Sequence, residues 1–424
     1  MKSFFDTIFF RSNNLNYIRK KILELTITTS SNKIFDAINS HSSEGEIRYV
    51  GGCIRKILNK EDVDDIDLAT NLEPKQVCEA LKKYNINYYE TGIEHGTITA
   101  VIDEQKFEIT TLREDVSTDG RHAKVKFSKN WKEDALRRDF TINSIYSDRD
   151  GNLFDPYNGK KDIEKGAINF IGNTNQRIKE DYLRILRYLR FFTSYSKQPH
   201  NQEVIRSLKM NISGIFNLSK ERLLDELKKI TQLGLLEKLS KDKIGLELFQ
   251  LIYPELKNFS IFSKLDSDKK KIFLNFDFIF LISLMVIDET DNTDYFLYKF
   301  NISNKDKKRI KIIDNFFKSN TQSSVFTENY MNKIFYYDGK QAVLDILNFK
   351  LVKLRKFDKN LEDLIEIFKK KLTPKMPIGA DILMKEYKIP EGKQLGLKLK
   401  MIEEEWVKNN FQISDKEINK IISN

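Results

Sequence analysis

The sequence predicts an α/β or α+β domain up to about residue 172, followed by an all-helical remainder in two or three bundles. Three observations carry this. Short β-rich runs, "EIRYVGG", "GTITAVI", "KFEITTL" and "AINFIG", alternate with helical segments in the first part. From "GNTNQRIKEDYLRILRYLRFF" onward nearly every segment has helical period. The second half is also crowded with Asn, Lys, Ser and Ile and punctuated by Pro254, Pro374, Pro377 and Pro390. No internal repeat at a solenoid period interrupts this division.

A chain of 424 residues is longer than one ordinary core serves, so two to four modules are expected, and 40% hydrophobic residues suffice to fold them. Lys and Arg number 72 against 62 Asp and Glu, a net charge of +10, which favours a polyanionic partner without identifying it. Cys53 and Cys78 are the two cysteines and form no CxxC pair, which argues against a disulfide framework or zinc knuckle and for a cytosolic chain. The most apolar run, "FLNFDFIFLISLMVI" (273–287), contains Asn275 and Asp277 and falls short of the roughly 20 residues a bilayer needs, so it reads as a buried helix. The N-terminal "MKSFFDTIFFRSNN" lacks the regions of a secretory signal, while a short organellar presequence stays open.

In chain order, the strand-like "IRYV" leads through Gly51 and Gly52 into a helical pattern beginning near Cys53. Backbone N–H groups at such a turn can cradle phosphate, because glycine lets the anion approach and the helix dipole favours it. A Gly pair alone equally suits an ordinary strand-to-helix turn. "VDDIDLAT" (63–70) follows, and strand alternation puts Asp65 and Asp67 on one face, with Ile66 and Leu68 on the other. Two neighbouring carboxylates repel unless a cation, a ring of Lys and Arg, or solvent relieves them. A phosphate-holding turn followed a dozen residues later by Asp-x-Asp places triphosphate and cation sites side by side. Nucleotidyl transfer needs that arrangement, with two divalent ions bridged by Asp65 and Asp67, and magnesium suits such oxygen ligands. In "KFEITTLRED" Phe107 and Ile109 share a face and Glu108 takes the other, so Glu108 could join the carboxylates or sit on a solvated strand face.

"VGGCIRKIL…DDIDLAT", "TGIEHGTITAV", "FEITTLREDVSTDGRHAKVKF", "KEDALRRDFTINSIY" and "QRIKEDYLRILRYLRFF" resemble, in order and spacing, the class II CCA-adding enzymes, tRNA nucleotidyltransferases of bacteria and mitochondria. The likeness covers roughly residues 47 to 230 and is nearest to the alphaproteobacterial and mitochondrial branch at "TDGRHA". It implies an α+β fold with a polymerase-β-like head followed by helical neck, body and tail. The expected boundaries are an N-terminal extension at 1–30, head at 31–172, neck at 173–245, body at 246–370 and tail at 371–424.

The resemblance also implies roles. Gly51, Gly52 and Arg55 match the triphosphate turn, Asp65 and Asp67 the ligands of two Mg²⁺ ions. Arg138, Asp139 and Asn143 of "RRDFTIN" match the segment contacting ribose and phosphates. Chemistry agrees: Arg137 and Arg138 are permanent cations suited to phosphate, and Asp139 can accept a hydrogen bond from a 2′-hydroxyl. Where most relatives carry Asp or Asn after the arginine of the Gly turn, this chain has Lys56, which inherits no role. Asp119, Gly120 and Arg121 fall in "TDGRHA" (118–123), matching the loop that helps the family change from C to A addition.

On a helix through "EDYLRILRYLRFF", Asp181, Arg184, Arg187 and Arg190 step down one polar side, with Ile185, Leu186, Leu189 and Phe192 on the apolar side. Asp181 and Arg184 then form either an i,i+3 ion pair or, as the family implies, a base-reading pair. Cytosine and adenine both present an amino donor beside a ring-nitrogen acceptor, whereas uracil and guanine present a carbonyl beside a ring N–H. An accepting Asp and a donating Arg therefore take C and A and refuse U and G. "NLSKERLLDELKKI" (217–230) resembles the neck motif packed behind that helix and also reads as an amphipathic helix capped at Ser219. The Lys-rich segment from "MPIGADIL" to "WVKNNF" resembles the tRNA-gripping tail.

The expected activity is addition of C, C and A to the tRNA 3′ end from CTP and ATP. Its partners are tRNA and these nucleotides, with neither DNA nor membrane, in the bacterial cytoplasm, or in mitochondria if the source is eukaryotic. A poly(A) polymerase or a CC- or A-only adding enzyme shares most of the motifs. An inactive tRNA-binding module is the alternative of another class.

Overall fold

The computed structural model describes residues 17–118, 123–263, 265–320, 325–354 and 358–423. The chain divides into two compact units: residues 1–229 with 244–252, and residues 230–243 with 253–424.

The first unit begins with helices α1 over 17–28 and α2 (Ser31–His41). There follow β1 (Ile47–Val50), α3 (Gly52–Asn59), β2 (Ile66–Thr70), α4 (Pro74–Lys83), β3 (Asn87–Gly92), β4 (Thr97–Ile102) and β5 (Gln105–Thr111). A hairpin, β6 (Arg113–Thr118) and β7 (Ala123–Phe127), leads to α5 (Trp131–Leu136), the short strands β8 (Tyr146–Ser147) and β9 (Leu153–Phe154), and α6 (Gly159–Lys165). Seven strands form one sheet in the order β3-β4-β5-β2-β1-β8-β9, and β6 and β7 pair separately. The sheet is mixed: β2 runs parallel to β5 and antiparallel to β1. The expected α+β class holds.

Alternation along β2 and β5 decides which face is core. Leu68, Phe107 and Ile109 are fully buried, and α4 and α2 pack together, with α4 against β4 and α2 against β1. Ala69 lies on the opposite face, in a cluster with Val50, Leu112, Ala135 and Tyr146, flanked by Trp131. α5 packs on that face through Ala135, and the chain leaving it reaches α3 at Thr141–Asn143. One expected strand is absent: "AINFIG" makes only a single bridge, Phe140 to Phe170. The Phe140 ring is held there by Phe170 and Phe191 at centroid distances of 4.6 and 5.5 Å, so packing replaces a ladder.

The unit continues with α7 (Thr174–Glu180), α8 (Leu183–Tyr195), α9 (Gln202–Asn211) and α10 (Lys220–Ile230). α7 and α9 begin under Asn caps, Asn173 accepting from Gln176 N at 3.0 Å and Asn201 from Glu203 N at 2.9 Å. α8 buries Ile185, Leu186 and Leu189, the stripe expected from its period.

The second unit is helical among its described residues. Its main core gathers Met331, Phe335, Val343, Ile346, Leu347 and Phe368, and a smaller cluster near the C-terminus gathers Leu383, Leu395, Ile402 and Ile418. The apolar run 273–287 forms the helix Phe278–Val286, capped by Asp277 accepting from Phe280 N at 2.9 Å and buried from Phe280 onward. No helix among the described residues is long and apolar enough to cross a membrane.

Candidate active site

The site starts where β1 turns into α3. Gly51 has φ +69°, a conformation that costs an L side chain roughly 1–2 kcal/mol. A Cβ there would lie 3.4 Å from Arg138 Nη1 and 3.8 Å from Asp67 Oδ2, so the bare turn faces a cation and a carboxylate together. Arg55, one turn into α3, is buried with its guanidinium over Phe191 at 4.7 Å and Nη1 donating to Asn143 Oδ1.

Asp67 sits in β2, in register with Glu108 on the parallel strand β5, so both carboxylates leave the same face. Asp65 immediately precedes the strand. Burial, then the Glu108 charge, pushes the Asp67 carboxyl above the usual range; Arg138 opposes the rise and Asp65 adds to it. Glu108 itself is exposed, and no group of three or more His, Cys, Asp or Glu among the described residues forms a closed metal cage.

Arg137 and Arg138 are set by a residue that sequence patterns did not single out. Asp134, 1% exposed in α5, accepts from Arg137 Nε at 2.7 Å, Arg138 Nη2 at 3.3 Å and the Tyr146 hydroxyl at 2.6 Å. Burial alone would raise its pKa, but the two guanidinium groups and the tyrosine carry it down to about 2. With an ordinary unfolded value near 4, such a shift contributes about 2–3 kcal/mol above that pH. That contribution disappears as pH falls from about 4 toward 2. Asp134→Asn is therefore expected to lower the melting temperature most above pH 5, with the gap to wild type narrowing toward pH 3. A gap independent of pH would refute the charge argument.

Asp139 makes the next link. It accepts from Arg187 Nε at 2.6 Å, Asn143 Nδ2 at 2.9 Å and Phe140 N at 2.9 Å. Against the cost of burial, Arg187 and Asn143 hold its carboxyl at about 2. Arg190 donates to the buried Glu226 of α10 at 2.5 Å, and burial lowers its pKa.

Asp181 departs from the expected helix stripe. α7 ends at Glu180 and α8 begins at Leu183, with Asp181 extended between them (φ −154°). Its Oδ1 accepts from Leu183 N at 3.1 Å and its Oδ2 from Arg222 Nη2 at 2.8 Å. Arg184 pairs instead with Glu180 at 2.8 Å, and donates to the carbonyls of Arg177 at 2.9 Å and Arg137 at 3.2 Å. The i,i+3 ion pair is therefore not formed. The Tyr182 ring lies where a Cβ on Gly214 would be, 2.1 Å away, so the break is packed into place. Arg222, 41 residues downstream of Asp181, belongs to the segment recognised as a capped helix, and its partner was not legible there.

All these elements line one cleft of about 520 Å³. Gly51, Gly52, Arg55, Asp65, Asp67, Arg138, Asp139, Asn143, Asp181, Arg184, Arg187 and Arg190 are in its wall, together with Lys56, Asp64, Arg137, Arg222 and Lys229. Glu108 is not in the wall, and Asp119, Gly120 and Arg121 lie outside the described residues. The volume suits a nucleotide, and the excess of cations suits a polyanion.

A glycine turn, a carboxylate pair on a mixed sheet and a wall of arginines define a nucleotidyltransferase head. The Poly A polymerase head domain family matches residues 47–169. The mouse mitochondrial CCA tRNA nucleotidyltransferase 1 is 33% identical over 392 residues, 88% of this chain and 85% of that protein. The human protein of that name is 47% identical over 188 residues, 44% of this chain and 43% of that one. The CCA-adding enzyme of Staphylococcus haemolyticus is 30% identical over 317 residues, 74% of each chain. Among solved structures, the Bacillus stearothermophilus CCA-adding enzyme in complex with CTP matches with a TM-score of 0.69 at 20% identity, over 92% of this chain and 95% of that one. The Thermotoga maritima enzyme complexed with tRNA matches at 0.63 and 17%, over 95% and 98%. The chain belongs to the CCA-adding tRNA nucleotidyltransferase family.

Proposed function

We propose that this chain completes the 3′ end of tRNA, adding C, C and A from CTP and ATP with release of pyrophosphate and without a nucleic-acid template. The observation carrying the reading is that phosphate turn, carboxylate pair and Asp181–Arg184 line the same cleft. The Gly51–Gly52 backbone and Arg55 bind the triphosphate, and Arg138, fixed by Asp134, adds charge-assisted bonds to it. Asp139 has spent three acceptor positions on protein donors, leaving one for a ribose hydroxyl. Asn143 braces Asp139 and Arg55 together, and Arg187 and Arg190 line the wall behind them.

The donor set fits Mg²⁺. Asp65 and Asp67 offer only oxygen, line an open cleft, and include a carboxyl whose charge is disfavoured by burial and by Glu108, which a bound cation would relieve. Glu108, in register with Asp67, acts on that charge from the next strand. When bound, a pair of Mg²⁺ ions would activate the tRNA 3′-hydroxyl and offset the charge of the departing pyrophosphate. Asp65 and Asp67 are the residues that would hold those ions.

Asp181 and Arg184 read the base. Three of the five Arg184 N–H groups go to protein acceptors, leaving donors for a ring nitrogen, and both Asp181 oxygens keep a lone pair for an exocyclic amine. The loop at 118–123 changes the site from C to A addition. Residues 173–245 serve as neck, 246–370 as body and 371–424 as the tail that grips tRNA. The enzyme works in the cytoplasm of a bacterium or the mitochondrion of a eukaryote.

Labelled CTP supplied with Mg²⁺ and tRNA ending at the discriminator base tests the reading. Incorporation that EDTA abolishes is expected. Folded, tRNA-binding protein that incorporates nothing would instead make the chain a binding module.

A further inference from the structure

β2 fixes Asp67, since Ile66 to Thr70 are all paired with β5. Asp65 lies one residue outside that ladder, at the end of the irregular stretch 61–65. Its backbone N–H donates to Asp64 Oδ1 at 2.9 Å, and the same oxygen accepts from Lys56 Nζ. At the other end of the stretch, the Lys56 carbonyl accepts from Glu61 N at 2.9 Å, where Lys60 ends α3 in the left-handed region. One residue thus clamps both ends of the segment that carries Asp65. Lys56 stands just after Arg55 and lines the cleft, and its ammonium bonds to the acidic run "EDVDDID" at Asp64.

We propose that Lys56 is a positioning residue for the carboxylate pair: through Asp64 it fixes the backbone of Asp65 and so sets how tightly the site takes a divalent cation. The inference rests on the reading of Asp65 and Asp67 as the cation site. Lys56 touches neither the cation nor the nucleotide in this role. Asp64, largely exposed, works by relaying the Lys56 bond to the Asp65 N–H. Loss of a partner that orients a metal ligand ordinarily weakens binding about ten- to a hundredfold.

The test uses the full-length, nucleotide-free protein and Mn²⁺, counted by the paramagnetic resonance of the free ion. Lys56→Met and Asp64→Ala are each expected to weaken Mn²⁺ binding about tenfold, and the double variant no further than the worse single, because both break one chain of bonds. Lys56→Arg should bind nearly as wild type. In EDTA the melting temperatures should agree, while amide exchange across residues 61–66 quickens in Lys56→Met. Additive losses in the double variant, or unchanged Mn²⁺ binding in Lys56→Met, overturn the proposal. Unchanged Mn²⁺ binding with raised KM for CTP and ATP would make Lys56 a phosphate ligand instead. Wild-type Mn²⁺ binding that survives Asp67→Ala would refute the cation site itself, a failure distinct from that of Lys56.

Discussion

Asp65→Ala and Asp67→Ala are each expected to lower nucleotide incorporation by about a thousandfold or more, since the charge stabilisation lost is several kcal/mol and each 1.36 kcal/mol is tenfold in rate. The fold should not suffer. Burial and the Glu108 charge already disfavour the Asp67 carboxylate, so removing it relieves repulsion in the absence of metal. Melting in EDTA should be unchanged or slightly raised for Asp67→Ala, and the stabilisation that Mg²⁺ adds to wild type should vanish. Substantial activity in either variant, measured at saturating Mg²⁺ and CTP, would remove the two carboxylates from the chemistry.

The second large effect concerns base choice. Asp181→Ala should cost roughly ten- to a hundredfold in use of CTP and ATP, the loss of a charge-assisted bond worth about 1.5–3 kcal/mol, while relative acceptance of UTP and GTP rises. Arg184→Ala should shift the ratios in the same direction. The two differ in stability. Arg184 joins Glu180 and the carbonyls of Arg177 and Arg137, whereas Asp181 meets Arg222 at a partly exposed pair. Arg184→Ala should therefore also lower the melting temperature, and Asp181→Ala much less so. Competition among all four nucleotides decides: a folded Asp181→Ala protein with unchanged nucleotide ratios would mean that the pair braces the neck and reads nothing.

Much of this was legible because the relevant patterns are local. Strand alternation set Asp67 opposite Ile66 and Leu68 and Glu108 opposite Phe107 and Ile109, the glycine turn announced its own conformation, and the register of β2 with β5 then brought the two carboxylates to one face. The break at Asp181 was not legible. Residues 174–195 keep helical period throughout, and the break, where Asp181 Oδ1 accepts from Leu183 N, is held by three distant partners: Arg222 from α10, the Arg137 carbonyl and Gly214 against the Tyr182 ring. Those partners lie more than thirty residues away, or in a turn that periodicity does not see. Asp134 escaped for a similar reason: in sequence it is one acid in "KEDALRRD", and only Tyr146, 12 residues on, reveals it as the buried anchor of both arginines. β3 was missed as a short edge strand of mixed polarity, and "AINFIG" was over-read because β-branched residues suit packed coil as well as ladders.

Whether one cleft makes all three additions is decided by sequencing the products formed from tRNA that ends at the discriminator base, incubated with CTP, ATP and Mg²⁺. Products ending in CCA and stopping there are predicted, with CC as the end point when ATP is withheld. Long A tails, or termination at CC with both nucleotides present, would contradict it.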